Sequence, residues 1–343
     1  MVLCCIHLRA QVTNIVILDK QEQVRLREII GSNSEARLLY DSVAADAGAS
    51  VKHVPCPLKV IHYEGLLDTD PRRINTVKSF PDIDHVATLI YAAYGSDNGM
   101  YGERANQIIM AWVKTYKPDG NTINENKFIS FFWGYYVFKS HFTKQEQEEA
   151  EKWILEIALK QKNRTSTPNN NWESKRLKIT GIAGAILNDK ELIDYSIEGF
   201  KAYISSAYYP DGTSNDLLSR DALQYHISGL KPCLSAFINL SKFDNRFDLY
   251  AWESPTGSSV KKSVEYTLPY ATGEKQRREW THSKVELDSA GLKQASKHIS
   301  RGNYLIRKKH MSYLNGHVFI IRIGLLYLKK QELILIIHHG SGC

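Results

Sequence analysis

Three stretches of this sequence carry side chains able to hold an anion or move a proton. The first is Thr167-Pro168-Asn169-Asn170-Asn171-Trp172, followed by Lys175 and Arg176. It sets a carboxamide beside two cations, with Trp172 as a stacking platform for a sugar ring or an anion. An Asn run before a helix also serves simply as an N-cap, because its side-chain oxygen accepts a free backbone N–H. The second is Asp211-Gly212-Thr213-Ser214-Asn215-Asp216, then Arg220-Asp221-Ala222-Leu223-Gln224-Tyr225-His226. Its glycine loop lacks the alternating acids and distant Glu of a calcium loop, so it reads as a turn plus helix cap. On one helix, Tyr225 and His226 stand about 100° apart and Asp221 lies one turn below Tyr225. Such a Tyr-His pair either packs in a core or transfers protons. The third stretch runs from Tyr270 to Trp280, where Arg277 and Arg278 either grip a carboxylate in bidentate fashion or form a solvated charge run.

Helices must position these groups. From about Ser79 to Leu240 the apolar residues recur with helical period. One helix follows Pro81 and stops at Gly95; a second runs from Gly99 to before Pro118. A third holds Phe131, Phe132, Tyr135, Tyr136 and Phe138. A fourth opens at Thr143-Lys144-Gln145-Glu146, a capping box. The fifth runs from about Trp172 to Asn188, with Gly181 and Gly184 permitting close helix contact, and a sixth holds Leu192, Tyr195, Ile197 and Phe200. The seventh is read as continuous from Leu217 to Leu240. Short polar turns between them predict antiparallel helical hairpins in a curved array or toroid, an all-α fold. Ahead of Ser79, Gln21 to Ala36 reads as helix and Lys52 to Tyr63 as extended chain.

The 343 residues are 43% hydrophobic and 24% charged, the balance of a globular chain with one large or two small domains. Five scattered cysteines lack the paired spacing of a structural zinc site, and no metal is expected. The net charge of +7 invites a nucleic-acid reading, but all of it lies in residues 294–343, where eight basic residues face Glu332 alone. The remainder is neutral, so no nucleic-acid partner is inferred. Residues 1–20 look like the remnant of a secretory signal. The apolar stretches near the C-terminus are broken by Arg322, Lys329, Lys330 and Glu332, which excludes a transmembrane helix. The shift in charge and histidine content near Lys293 marks residues 294–343 as an irregular basic tail, read as an aberrant end, an edge strand or a membrane-surface segment. Residues 21–293 are then the folded domain.

The order of the hairpins, with Gly120-Asn121-Thr122-Ile123-Asn124-Glu125, then Asn170-Asn171-Trp172, then Asp211-Gly212 through Tyr225-His226 and Pro232, resembles the alginate lyase family of polysaccharide lyases over roughly Ser79 to Leu287. The resemblance implies an incomplete α/α toroid, export to the periplasm or outside the cell, and cleavage of polyuronates by β-elimination with no nicotinamide or nucleotide cofactor. It further implies that Asn171 and Arg220 neutralise the uronate carboxylate, that Tyr225 is the general acid, and that Tyr225 or His226 takes the C5 proton. Trp172, Lys175, Arg176, Tyr270, Arg277 and Arg278 are the candidate substrate-binding residues. Where many members have His after the Asn pair, this chain has Trp172. Two other functions compete: a helical-toroid glycoside hydrolase, whose two carboxylates stand roughly 5–9.5 Å apart, with Asp216, Asp221 and Glu173 as candidates, and a non-catalytic carbohydrate-binding homologue.

Overall fold

Local capping sets most of the boundaries. Thr143 accepts the Glu146 N–H while the Glu146 carboxylate accepts the Thr143 N–H, the expected capping box. Asp19, Asn33, Asp70, Asn98, Asn170, Asp189, Ser214 and Ser259 each cap the helix that follows. The computed structural model describes residues 15–277 and 282–283. The expectations for the first residues, for Arg278 and for the basic tail lie outside the described residues.

The helices are α1 (Lys20–Ser32), α2 (Ser34–Lys52), α3 (Pro71–Ser79), α4 (Pro81–Gly95), α5 (Gly99–Thr115), α6 (Thr122–Glu125), α7 (Ile129–Val137), α8 (Lys144–Lys162), α9 (Asn171–Leu187), α10 (Lys190–Ala207), α11 (Asn215–Arg220), α12 (Leu223–Leu240) and α13 (Val260–Thr272). Among the described residues there is no strand, only the isolated bridge between Tyr208 and Ser214. The chain is an all-α toroid of helical hairpins. In its first half α4 packs against α1, α2, α5 and α7; in its second half α9 is flanked by α8, α10 and α12. Gly181 permits the α9–α10 approach, since a Cβ there would lie 2.5 Å from the Ser196 hydroxyl oxygen. The halves share a core of rings in which Phe128 lies 5.3 Å from both Trp112 and Trp153.

Two readings need correction. The helix seen at Gln21 breaks at Asn33, which caps α2. More consequentially, the segment from Leu217 to Leu240 is two helices. Asp221 adopts the left-handed conformation, φ 47°, and ends α11. An aspartate tolerates that region better than most residues, and here its carboxylate is gripped by Arg277 Nη2 at 2.5 Å and by the His282 N–H at 2.9 Å. Asp221 is therefore not one helical turn below Tyr225.

Candidate active site

The beginnings of α9 and α11 meet. Asn170 spends its side chain capping the Trp172 N–H at 3.0 Å, which leaves Asn171 to turn inward. Asn171 donates twice to Asp216, from its backbone N–H at 2.7 Å and from Nδ2 at 3.0 Å. Asp216 is held there by the tight turn before it. Gly212 has φ 84°, and a Cβ at that position would lie 2.5 Å from the Lys262 carbonyl oxygen. Burial pushes the Asp216 carboxyl above the usual carboxylate range, opposed by the Asn171 hydrogen bonds and by the charges of Lys175 and Arg220.

One turn along α9, Lys175 Nζ donates to Asn171 Oδ1 at 2.6 Å and reaches Ser228 Oγ on α12 at 2.9 Å. The Asn171 amide is thus fixed at both ends, its oxygen by an ammonium and its nitrogen by a carboxylate. Pro232 contributes to this. A proline inside a helix has no N–H for the carbonyl four residues earlier, which here is that of Ser228, and Lys175 Nζ lies 3.4 Å from that oxygen. Burial pulls the Lys175 ammonium down to about 7, with Asp216 opposing.

The break at Asp221 brings the last residue of α11 against the first turn of α12. The Arg220 guanidinium carbon sits 3.7 Å from the centre of the Tyr225 ring, and its Nη2 donates to the Tyr225 hydroxyl. Arg220 also lies four residues after Asp216, the spacing of one turn of α11. Asn171, Asp216, Arg220 and Tyr225 therefore form one connected polar cluster, and Tyr225 and Ser228 are half-buried on the same side of α12.

Other expected residues lie differently. His226 is fully buried, its Nδ1 2.7 Å from the Ser214 hydroxyl and its Nε2 3.3 Å from the Ser263 carbonyl oxygen. Nε2 donates to that carbonyl, so Nδ1 accepts from Ser214 and neither nitrogen is free to take a proton from a substrate. Burial holds the ring down to about 4. Arg176 is also buried, bound to the Glu173 carboxylate, the Tyr195 hydroxyl and the Gln161 carbonyl. Its donors are taken by the protein, which removes it from the substrate-binding set. Arg277 is committed to Asp221. Trp172 is half-buried with the Arg164 guanidinium 5.1 Å from its ring. Tyr270 packs on Tyr266, 5.8 Å between rings, and Tyr266 on His226 at 5.7 Å. The three hydrolase carboxylates are each engaged: Glu173 by Arg176, Asp221 by Arg277, Asp216 by Asn171.

The Gly120–Glu125 segment is structural. Buried Glu125 accepts the Asp119 and Gly120 N–H groups, both at 2.9 Å, and Asn124 Nδ2 donates to the Ile61 carbonyl at 3.0 Å. A cavity of about 580 Å³ opens elsewhere, between residues 17–27 and the ends of α4, α5 and α7, and none of the expected site residues lines it. We place the chemistry by the polar cluster, since the cavity offers no comparable set of proton-transferring groups. Among the described residues no group of three or more His, Cys, Asp or Glu is placed to hold a metal ion.

The alginate lyase family matches residues 45–277, most of the chain. The chain belongs to that family. Among solved structures, an alginate lyase from Bacteroides ovatus is similar over 92% of this chain and 95% of its own, with 15% identity and a TM-score of 0.63. Alginate lyase A1-III from Sphingomonas species A1 is similar over 74% of this chain and 77% of its own, with 15% identity and a TM-score of 0.51. A variant of A1-III complexed with a tetrasaccharide is similar over 76% of this chain and 80% of its own, at 16% identity and a TM-score of 0.52. No curated protein matches. At this identity the structural likeness concerns the fold, and the alginate lyase family rests on the match along the sequence.

Sequence reasoning missed Asp216 as the residue that orients Asn171, and Ser228 and Ser214 as its supports. An acid in a Gly-Thr-Ser-Asn loop reads as a cap, and only the meeting of two distant helix starts gives it another role. Pro232 was a usable signal, since a proline inside a helical pattern marks a carbonyl in need of a donor.

Proposed function

We propose that this protein is a polysaccharide lyase that cleaves an alginate-like polyuronate by β-elimination. The reaction breaks the C5–H bond beside the uronate carboxylate, forms a C4–C5 double bond and expels the O4-linked sugar, so charge develops on the carboxylate as the proton leaves. The free Nδ2 hydrogen of Asn171 and the guanidinium of Arg220 supply donors for that charge. Tyr225, as phenolate stabilised by Arg220, takes the C5 proton, and as phenol returns a proton to O4 while the C4–O4 electron pair leaves with the oxygen. One group serves both ends, which balances the protons without water or cofactor. His226 is too enclosed to share the base role. The observation that carries this reading is the Arg220–Tyr225 contact, joined through α11 to the Asp216–Asn171 pair.

The partner is an anionic polysaccharide or oligosaccharide, with Trp172 and Lys175 at the groove. The family setting supports a periplasmic or secreted enzyme; no helix among the described residues is long and apolar enough to cross a membrane. Incubation with polymannuronate tests the reaction. Growth of the ultraviolet absorbance of a conjugated uronate is expected. New reducing ends without that absorbance would indicate hydrolysis, and binding with neither product would leave a carbohydrate-binding homologue, the reading that Trp172 in place of His would then favour.

A further inference from the structure

The proposed reaction uses Lys175 and leaves three neighbouring lysines unexplained. Lys178 lies on α9 so that Asn171, Lys175 and Lys178 fall at i, i+4 and i+7 on one helix face. It is 1% exposed, and among the described residues no acceptor is hydrogen-bonded to its ammonium. Lys127 stands on the 3-10 turn Asn126–Phe128, against which α9 packs, with its Nζ 4.6 Å from the centre of the Tyr63 ring. Lys231 follows Ser228 by three residues on α12, so it shares the half-buried face that carries Tyr225. The charges of Lys127 and Lys231 act on Lys175, and those of Lys175 and Lys127 act on Lys178.

The groups facing these lysines do not cancel them. Asp216 opposes at Lys175 and Asp84 at Lys127, while Arg73 adds a further positive charge beside Lys127. Cys233, also near Lys175 and Lys178, is pushed up to about 12 by burial, and buried Tyr203 and Tyr208 are likewise held neutral. Burial and mutual repulsion bring Lys175 and Lys178 down to about 7 and Lys127 to about 8, and burial lowers Lys231. A gathering of buried like charges is costly without a counter-ion. An arriving anion relieves that cost.

We propose that Lys127, Lys175 and Lys231, backed by the buried charge of Lys178, form a carboxylate subsite for a uronate next to the one that is cleaved. The subsite rests on the lyase reading for the identity of its ligand. Lys178 acts through the other lysines as a positioning charge and does not touch the sugar. Because an anion favours the ammonium form, entry of the carboxylate draws a proton from solution above neutral pH.

Calorimetric titration with sodium mannuronate, a monosaccharide without a glycosidic bond to cleave, tests the subsite on the wild-type protein at pH 8 in two buffers of different ionisation heat. Mannose serves as the neutral control. Binding of mannuronate but not mannose, with uptake of part of a proton, is expected. Lys178→Met, which keeps length and removes charge, is expected to weaken binding by about tenfold, as loss of a poorly screened charge near an anion should, and to cut the proton uptake. If that variant does not fold, Lys231→Met on the half-buried face gives the same readout. Equal affinity and equal uptake in a folded variant, mannose binding as tightly as mannuronate, or no binding by the wild type would each overturn the subsite. The two readings fail separately. Loss of mannuronate binding in Lys178→Met, in a protein that makes no unsaturated product from polymer, sinks the lyase reading alone; undiminished binding beside active cleavage sinks the subsite alone.

Discussion

Asp216 accepts the backbone N–H of Asn171 on one carboxylate oxygen and the side-chain Nδ2 on the other, at 2.7 and 3.0 Å. With Lys175 donating to Asn171 Oδ1, the amide has one orientation. It presents a single remaining N–H, the donor that the proposed chemistry needs.

Replacing Asp216 by Asn tests that orientation. The new amide nitrogen would face Asn171 Nδ2, and flipping Asn171 would set its nitrogen against the Lys175 ammonium, so either arrangement opposes two donors. The account predicts a fall in kcat of about 10- to 100-fold, within the range for a lost positioning contact. Stability should change little, because burying this carboxylate is itself unfavourable at neutral pH, as its raised pKa records. Steady-state kinetics beside thermal melting checks both parts.

Pro232→Ala gives a gentler perturbation of the same unit. The new N–H satisfies the Ser228 carbonyl within α12, and Lys175 loses one of its acceptors. An unchanged or higher melting temperature with a kcat reduced by a few-fold is expected, since an interior proline forfeits a helical hydrogen bond. An unaltered kcat would show that Lys175 does not depend on this carbonyl.

Acid sensitivity should trace partly to His226. A histidine in the unfolded chain charges near pH 6.5, whereas the buried ring resists until about 4. Its contribution is whole above about pH 6.5 and is lost as the pH falls toward 4, on the order of 3 kcal/mol in all. Glu125, raised by burial to about 7, works with the opposite sign: its folded form binds a proton first, so its contribution falls as pH rises from about 4.5 through 7. Comparing variants isolates the histidine. His226→Gln should melt lower than wild type at pH 7.5, yet lose less on moving to pH 5; an equal loss would rule out His226 as the source.

Much of this was legible in the sequence. The Thr143–Glu146 capping box, the glycines of α9 and the seams between α4, α5, α8, α9 and α10 follow from short-range rules of capping and periodicity. The break at Asp221 was not legible, because no glycine or proline marks it and the carboxylate is held by Arg277 and His282, more than fifty residues away. The division of labour between Asn170 and Asn171 was hidden for a related reason. Adjacent identical residues offer no local signal, and the partner that distinguishes them, Asp216, lies 45 residues on. His226 and Arg176 misled because residue type shows what a side chain is able to do, and burial decides whether substrate reaches it.

The central claim is that Tyr225, against Arg220, moves the protons of a β-elimination. Its most direct test is the rate of unsaturated uronate formation from polymannuronate by wild type and by Tyr225→Phe, read as ultraviolet absorbance. The substitution keeps the ring under the guanidinium and removes only the hydroxyl. The account predicts product from the wild type and a loss of roughly 10²- to 10⁴-fold in the variant, the usual range for a general acid–base group, with the melting temperature nearly unchanged. Equal rates in the two proteins, or no unsaturated product from the wild type on any polyuronate, would contradict it.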